Sequence, residues 1–184
     1  HVADPEGQSQ LMAYPRFETA LRRQDLWDAY RQTCADLHVT PFSFHTAKLY
    51  YVSSLVRCWL PPDRSTELCV LEIGAGLGNL CVLLQKQLPV RQYVILDLPE
   101  MVLLSSITIR HFFPDLPIHF SHLSTDPVLR LPDRGVLFCY PQDVSRLPSD
   151  VFDLTVNVDS FQEMTEAQVG DYLPFVQRAA KDGG

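Results

Sequence analysis

The chain has 184 residues, a length that suits one domain and allows a sizeable hydrophobic core. Its hydrophobic fraction of 46% and charged fraction of 20% are those of an ordinary soluble globular protein. A formal net charge of −7 and scattered basic residues argue against a nucleic-acid binder, which usually carries a basic face. No apolar run approaches the ~20 residues that span a bilayer, and the start shows no signal-peptide pattern. We therefore expect a cytoplasmic protein that binds neither nucleic acid nor membrane.

The N-terminal third is predicted to be an arm followed by helices. Residues 1–13 are polar and patternless, so we interpret them as a flexible arm. Apolar residues recur near a 3.6-residue spacing from Pro15 to Leu37 and predict a first helix. A second helix is predicted from Thr46 to Leu60, where two prolines end it. We interpret residues 14–67 as a helical lid or substrate region.

From residue 68 onward, short apolar runs alternate with helical patterns. The predicted elements are a strand at Leu68–Ile73, a helix at Asn79–Leu88, a strand at Tyr93–Leu96, a helix at Glu100–Phe113, strands at Gly135–Tyr140 and Phe152–Val158, and a helix at Thr165–Ala180. This alternation predicts a mostly parallel α/β sheet with right-handed crossovers. The long connection after Pro114 is predicted to carry a small element at Ile118–Phe120. Because a helix followed by Gly183-Gly184 normally leads into another strand, we expect the C-terminal strands of the sheet to lie outside this chain.

The five cysteines form no CxxC pair. Three of them, Cys69, Cys81 and Cys139, lie inside apolar runs. Buried reduced thiols explain this pattern better than disulfides or zinc ligands. We predict no metal site from the cysteines, nor from His119 and His122, which would point to opposite faces of a strand.

The stretch 69-CVLEIGAGLGNLCVLL-84 carries the strongest chemical signal, because a buried strand ends in a glycine turn that opens a helix. Gly74 allows the tight turn, Gly76 allows a ligand to lie against the backbone, and Gly78 allows the helix to pack close to the strand. The next strand ends at Asp97, 19 residues after Gly78, where a carboxylate suits the two hydroxyls of a ribose.

Two details favour a cationic adenosine ligand over a dinucleotide. The glycine spacing is G-x-G-x-G rather than G-x-G-x-x-G, and Glu72 precedes the glycines, where it would repel a pyrophosphate. S-adenosylmethionine carries a sulfonium and an ammonium group and no phosphate, so it fits both details.

The segments LEIGAGLGNL and YVILDLPE resemble the class I S-adenosylmethionine-dependent methyltransferases. YVILDLPEM followed by NVDSFQEM also resembles the putative sugar O-methyltransferases, whose later motif commonly reads close to N-T-H-S-F-Q-E-M. The resemblance covers about residues 68–184. It implies a Rossmann-like core with helices on both faces and an N-terminal helical lid.

The resemblance also implies roles for individual residues. Those implied to bind the cofactor are Glu72, Gly74, Ala75, Gly76 and Gly78 at the turn, Asp97 at the ribose, Leu98 beside the adenine, Asp143 (or Gln142) at the adenine amino group, and Asn157 beside the sulfonium. Two of these have plainer alternatives. Asp143 would also serve as a turn residue or helix cap, and Asn157 as a buried amide that satisfies loop backbone.

The acceptor side departs from the resemblance, because Asp159 stands where the family often has His. A hydroxyl needs a general base or a metal, so Asp159 could be the base, with Glu163 one helical turn further on (i, i+4) as its partner, or the two acids could hold a divalent ion. Asp159 would also serve as an N-cap, or its presence could mark lost catalysis. His45, in the predicted lid, is a further candidate base.

The leading prediction is a transferase that uses S-adenosylmethionine, with S-adenosylhomocysteine as product, to methylate a hydroxyl of a sugar or glycosylated small molecule. An alternative is a non-catalytic binding or docking domain of a larger biosynthetic protein. A nucleotide-sugar or NAD enzyme is the third reading. The chain could act as a homo-oligomer or within a multidomain chain.

Overall fold

The structure is a computed structural model that describes residues 18–23, 26–38, 44–60 and 67–181. The chain divides into two compact units, His1–Pro62 and Asp63–Gly184. None of the described helices is both long enough and apolar enough to cross a bilayer.

The first unit is helical where it is described. Residues 18–23 are helical, and they are followed by α1 (Trp27–Asp36) and α2 (Phe44–Trp59). Leu26 lies outside both helical stretches, so the single first helix predicted from Pro15 to Leu37 is wrong. Tyr30 is fully buried, and its ring centroid lies 5.3 Å from that of Tyr50, so α1 and α2 pack through their aromatic residues.

The second unit alternates strands and helices, as predicted. Its elements are β1 (Leu68–Ile73), α3 (Asn79–Gln87), β2 (Val90–Leu96), α4 (Pro99–Phe112), β3 (Ile118–Phe120), β4 (Gly135–Cys139), β5 (Leu154–Asn157) and α5 (Glu166–Ala179). Short 3-10 turns follow β3, β4 and β5. The small element predicted at Ile118–Phe120 is confirmed as a strand.

The five strands form one parallel sheet in the order β3-β4-β2-β1-β5. All residues of β1 and β4 are buried, which is why neither strand alternates apolar with polar residues and why Glu72 is the single charged residue of the two strands. In the register of the sheet, Ile73 pairs with Leu96 and with Asn157, and Leu96 pairs with Cys139. The carboxyl ends of four strands therefore meet along one edge.

Helices cover both faces of the sheet. One face of β1 packs with α5 in a core that consists of Cys69, Leu71, Ile73, Val94, Leu96, Leu129, Leu137, Cys139, Leu147, Phe152, Phe175 and Ala179. On the other face, Cys81 of α3 lies close enough to Glu72 for the charge of Glu72 to contribute to the raised pKa of the thiol. The fold class predicted from the alternating pattern is thereby confirmed.

Candidate functional site

The glycine turn after β1 has the conformation that its sequence demands. Gly74, Gly76 and Gly78 all have positive φ, at 74°, 55° and 77°. This region is costly for residues with a Cβ, so glycine is favoured at each position. The turn ends at Gly78, which is the N-cap of α3.

Each glycine has a different neighbour. A Cβ on Gly74 would overlap the side chain of Ser160, whereas a Cβ on Gly76 would meet nothing within 4 Å. A Cβ on Gly78 would lie 3.0 Å from Cβ of Ser105 in α4. Gly78 therefore permits close packing of α3 against α4, rather than against a strand. The space above Gly76 is open.

Asp97, directly after β2, faces the glycine turn. Its Oδ2 accepts a hydrogen bond of 2.9 Å from the Gly76 N–H, and its Oδ1 accepts one of 2.8 Å from the Leu98 N–H. Burial raises the pKa of Asp97, the backbone hydrogen bonds oppose that rise, and the charge of Glu163 adds to it. The half-buried carboxylate is thus held at the edge of the sheet beside the open turn. Leu98 is 57% exposed.

Glu72 lies beneath the turn rather than at its surface. It is 2% exposed, and its Oε2 accepts a hydrogen bond of 2.7 Å from the hydroxyl of Tyr93, itself fully buried. Burial raises the pKa of Glu72 to about 7, the Tyr93 hydrogen bond lowers it, and the charge of Asp97 raises it further. The strand therefore carries a buried acid that titrates near neutral pH.

Asp143 is a buried cap of the 3-10 turn after β4. Its Oδ2 accepts hydrogen bonds from the Ser121 hydroxyl at 2.5 Å and from the Tyr140 N–H at 2.9 Å, and its Oδ1 accepts one from Arg146 at 2.7 Å. Burial alone would raise the pKa of Asp143, but these donors outweigh it and lower the pKa. The carboxylate that was predicted to meet adenine is thus engaged by three donors of its own chain.

Gln142, the neighbouring candidate, is exposed. Beside it, the hydroxyl of Tyr140 lies 3.0 Å from Nδ1 of His122, which belongs to the turn after β3. Asp97 adjoins this region, since its N–H donates to the Cys139 carbonyl. His119 is also exposed.

Asn157 ties the end of β5 to the end of β1. Its Nδ2 donates to the Ile73 carbonyl at 2.9 Å, and its Oδ1 accepts from the Phe161 N–H at 3.3 Å. Nδ2 also contacts the hydroxyl of Ser160, which itself donates to the Ile73 carbonyl at 3.0 Å. The Asn157 amide thus forms hydrogen bonds with backbone groups on both sides of the site, at the position predicted to lie beside the sulfonium.

The two candidate acids on the acceptor side lie on the 3-10 turn that follows β5. Asp159 is exposed, has a φ of 71° and is the N-cap of that turn, without a side-chain cap hydrogen bond. Glu163, at the end of the turn, is exposed and close enough to raise the pKa of Asp97. The turn is a 3-10 helix rather than an α-helix, so the i, i+4 geometry expected for this pair is wrong. The side chain of His45 lies outside the described residues.

Acidic groups dominate the edge of the sheet. Among the described residues, the charges that act on Glu72 and Asp97 come only from other carboxylates. No group of three or more potential metal ligands occurs in the part of the chain that the structure describes. The electrostatics of this edge favour a ligand with positive charge.

Three residues at this edge were not predicted from the sequence. They are Tyr93, which holds Glu72, Ser160, which fills the space beside Gly74, and Tyr172, whose pKa is raised by burial and by Asp97. Ser160 lies within the NVDSFQEM segment that carries the family resemblance, so that motif could have identified it as a candidate site residue. Tyr93 lies two residues from the strand partner of Glu72, so only the strand register reveals its role.

Several solved structures resemble this fold, and two of them show the extent of the likeness. The YcgJ protein from Bacillus subtilis is 19% identical with a TM-score of 0.50, and the match covers 72% of this chain and 45% of that one. The CurJ carbon methyltransferase is 16% identical with a TM-score of 0.48, and the match covers 72% of this chain and 32% of that one. The chain spans less than half the length of either structure.

At these identities the likeness to YcgJ establishes the fold alone. The Rossmann-like α/β fold predicted from the sequence is thereby confirmed. No protein family and no curated protein matches the chain at the level of sequence.

Proposed function

We propose that this chain binds S-adenosylmethionine at the carboxyl edge of its sheet and transfers the methyl group to a hydroxyl of a sugar or glycosylated small molecule. One observation carries the proposal. A glycine turn with open space above Gly76 lies within hydrogen-bond distance of Asp97, the carboxylate that ends the neighbouring strand. An adenosine ligand that crosses this edge would place its ribose on Asp97 and its polar tail along the turn.

The electrostatics support S-adenosylmethionine over a dinucleotide. Glu72 is buried two residues before Gly74, Asp97 accepts a hydrogen bond from the turn, and the charge of Glu163 acts on Asp97. A pyrophosphate at the turn would be repelled by Asp97 and Glu163 and would oppose ionisation of Glu72, whereas a sulfonium and an ammonium group would be attracted.

Gln142 is the better partner for the adenine amino group. The carboxylate of Asp143 already accepts three hydrogen bonds within the chain and is buried, so a ligand would have to displace a donor. Gln142 precedes it on the same turn and is exposed. Its side-chain oxygen is therefore available to accept a hydrogen bond from the base.

The reaction requires alignment and removal of one proton. When bound, S-adenosylmethionine supplies an activated methyl group, whose bond to sulfur breaks as a bond to the acceptor oxygen forms. Asp97 and the glycine turn hold the adenosine portion in place, which accounts for much of the rate. The acceptor hydroxyl loses its proton to a carboxylate on the turn after β5.

Of the two acids on that turn, Glu163 is the better candidate base. The charge of Glu163 raises the pKa of Asp97, so Glu163 lies near the carboxylate that we propose to bind the ribose. Asp159 begins the turn in the left-handed region. The sugar acceptor itself rests on the resemblance of the DLPE and SFQEM segments.

The test is a turnover assay of the purified chain with S-adenosylmethionine and a panel of sugars and glycosides. We expect S-adenosylhomocysteine and a methylated product with at least one acceptor, and loss of both in Asp97→Ala. Asp115→Ala, which removes an exposed carboxylate just after α4, serves as the matched control.

Two other outcomes contradict the proposal. Binding of S-adenosylhomocysteine without turnover on any acceptor would favour the non-catalytic docking domain. A rise in melting temperature with NAD and none with S-adenosylhomocysteine would favour a nucleotide-binding enzyme.

A further inference from the structure

We propose that the buried Glu72–Tyr93 pair makes the site selective for a positively charged ligand, and that entry of the cation displaces the proton of Glu72 into the solvent. This inference rests on the proposed function, because it concerns the ligand of the same turn.

The geometry of Glu72 sets up the exchange. The carboxyl is 2% exposed, and its Oε2 accepts the hydroxyl hydrogen of Tyr93 at 2.7 Å. Tyr93 is itself completely buried. One neutral hydroxyl is weak compensation for a buried negative charge, so about half of the unliganded sites carry the protonated, neutral acid at pH 7.

The groups that face Glu72 offer it no counter-ion among the described residues. The hydroxyl of Tyr93 in β2 donates a hydrogen bond to Glu72, and Cys81 of α3 and Asp97, directly after β2, interact with it electrostatically. The pKa values of the tyrosine and of the thiol are raised well above their ordinary values by burial, so both stay neutral. Asp97 is the only charged neighbour in this set, and its sign opposes ionisation of Glu72.

A cation at the turn reverses this balance. Glu72 lies two residues before Gly74, at the end of the strand that feeds the open turn. A positive group bound there interacts with the ionised carboxylate across a buried, low-dielectric medium, where charges act strongly. The carboxylic acid therefore loses its proton to the buffer as the cation binds, and a neutral ligand gains nothing from this step.

The sign of the pH dependence follows from this linkage. The cation prefers the ionised acid, so affinity is full above the unliganded pKa of Glu72, which is about 7, and falls below it. Between pH 8 and pH 6 we expect the Kd for S-adenosylmethionine to rise about tenfold. The number of protons released per ligand should be about 0.5 at pH 7 and about 0.9 at pH 6.

The experiment is calorimetric titration with S-adenosylmethionine at pH 6, 7 and 8, in buffers of different ionisation enthalpy. Glu72→Gln has the shape and neutrality of the protonated acid, and we expect it to bind without the pH-dependent proton release. The ligand's own amino group titrates equally with both proteins, so the difference between them isolates Glu72. Glu67→Gln, an exposed acid just before the same strand, should behave as wild type.

Tyr93→Phe provides a second readout that a loss of fold would not mimic. The Tyr93 hydroxyl lowers the pKa of Glu72, so its removal should move the midpoint of the pH dependence upward while release of the proton persists. Tight binding with the same proton count in wild type and Glu72→Gln would overturn the inference and leave the proposed function intact. Absence of binding at every pH would contradict the proposed function itself.

Discussion

The backbone N–H of Gly76 donates a 2.9 Å hydrogen bond to Oδ2 of Asp97, so the glycine turn and the end of β2 are joined before a ligand binds. Oδ1 of the same carboxylate accepts from the Leu98 N–H. Both oxygens are thus fixed by backbone donors and retain lone pairs for further donors. The two hydroxyls of a ribose are donors of that kind.

Alanine at Gly76 and at Gly74 should have different consequences. At Gly76 the added Cβ meets nothing within 4 Å, so the cost is the strain of a positive φ, about 1–2 kcal/mol. The methyl group would however occupy the space that the ligand needs. Gly76→Ala should therefore fold and lose S-adenosylhomocysteine binding at least tenfold, as measured by calorimetry.

Gly74→Ala adds an overlap with Ser160 to the same backbone strain. We expect it to lower the melting temperature by more than Gly76→Ala does. An equal loss of stability in the two variants would show that the contact between Gly74 and Ser160 is not tight.

Asp143 should stabilise the protein in a pH-dependent way. The Asp143→Asn substitution replaces an acceptor oxygen with a donor among three donors, so we expect a loss of about 2–3 kcal/mol in the free energy of unfolding at pH 7. Because the folded state lowers the pKa of Asp143, this contribution is present above the unfolded value of about 3.9 and is lost as the pH falls below it.

Urea unfolding at pH 7, pH 5 and pH 3.5 measures this difference. The gap between wild type and Asp143→Asn should be constant at the two higher pH values and smaller at pH 3.5. Asp133→Asn, which alters an exposed carboxylate, is the control and should cost little at any pH. A gap that grows as the pH falls would contradict the assignment.

Glu163 and Asp159 should differ in their effect on turnover. If Glu163 is the base, Glu163→Gln lowers kcat by about 100-fold or more while the affinity for S-adenosylhomocysteine changes little. Asp159→Asn should lower kcat by less than threefold, because asparagine also tolerates the left-handed backbone that Asp159 adopts. The reverse ranking in a single-turnover assay would move the base to Asp159.

Gln142 should distinguish adenine from hypoxanthine. Wild type should bind S-adenosylhomocysteine about 3–10-fold more tightly than its inosine analogue, which lacks the exocyclic amino group. Gln142→Ala should remove that preference. If the preference survives in Gln142→Ala and disappears in Asp143→Asn, the buried acid is the adenine contact instead.

Much of the fold follows from the sequence because its strands are parallel and buried. Leu68–Ile73 reads as a strand because it is apolar at every position except Glu72, and every one of its residues is buried. Two predicted strand starts were wrong, and β2 begins at Val90 rather than Tyr93. β5 begins at Leu154 rather than Phe152, since Oδ2 of Asp153 accepts the Cys69 N–H just before it.

The side-chain contacts at the carboxyl edge of the sheet could not be predicted from the sequence. Ser160 and Gly74 are separated by 86 positions, and only the packing of the turn after β5 brings them together. The partnership of Tyr93 with Glu72 likewise depends on strand register, which composition and periodicity do not specify. Motif reading located the glycine turn and Asp97, whose hydrogen bond depends on the parallel pairing of β1 and β2.

The most direct test of the cofactor site is calorimetric titration of the purified chain with S-adenosylhomocysteine, beside Asp97→Ala and its exposed control Asp115→Ala. We predict micromolar binding by wild type and by the control, and loss of binding in Asp97→Ala. Equal affinity of all three proteins, or no binding by wild type, would contradict an adenosine site at the glycine turn.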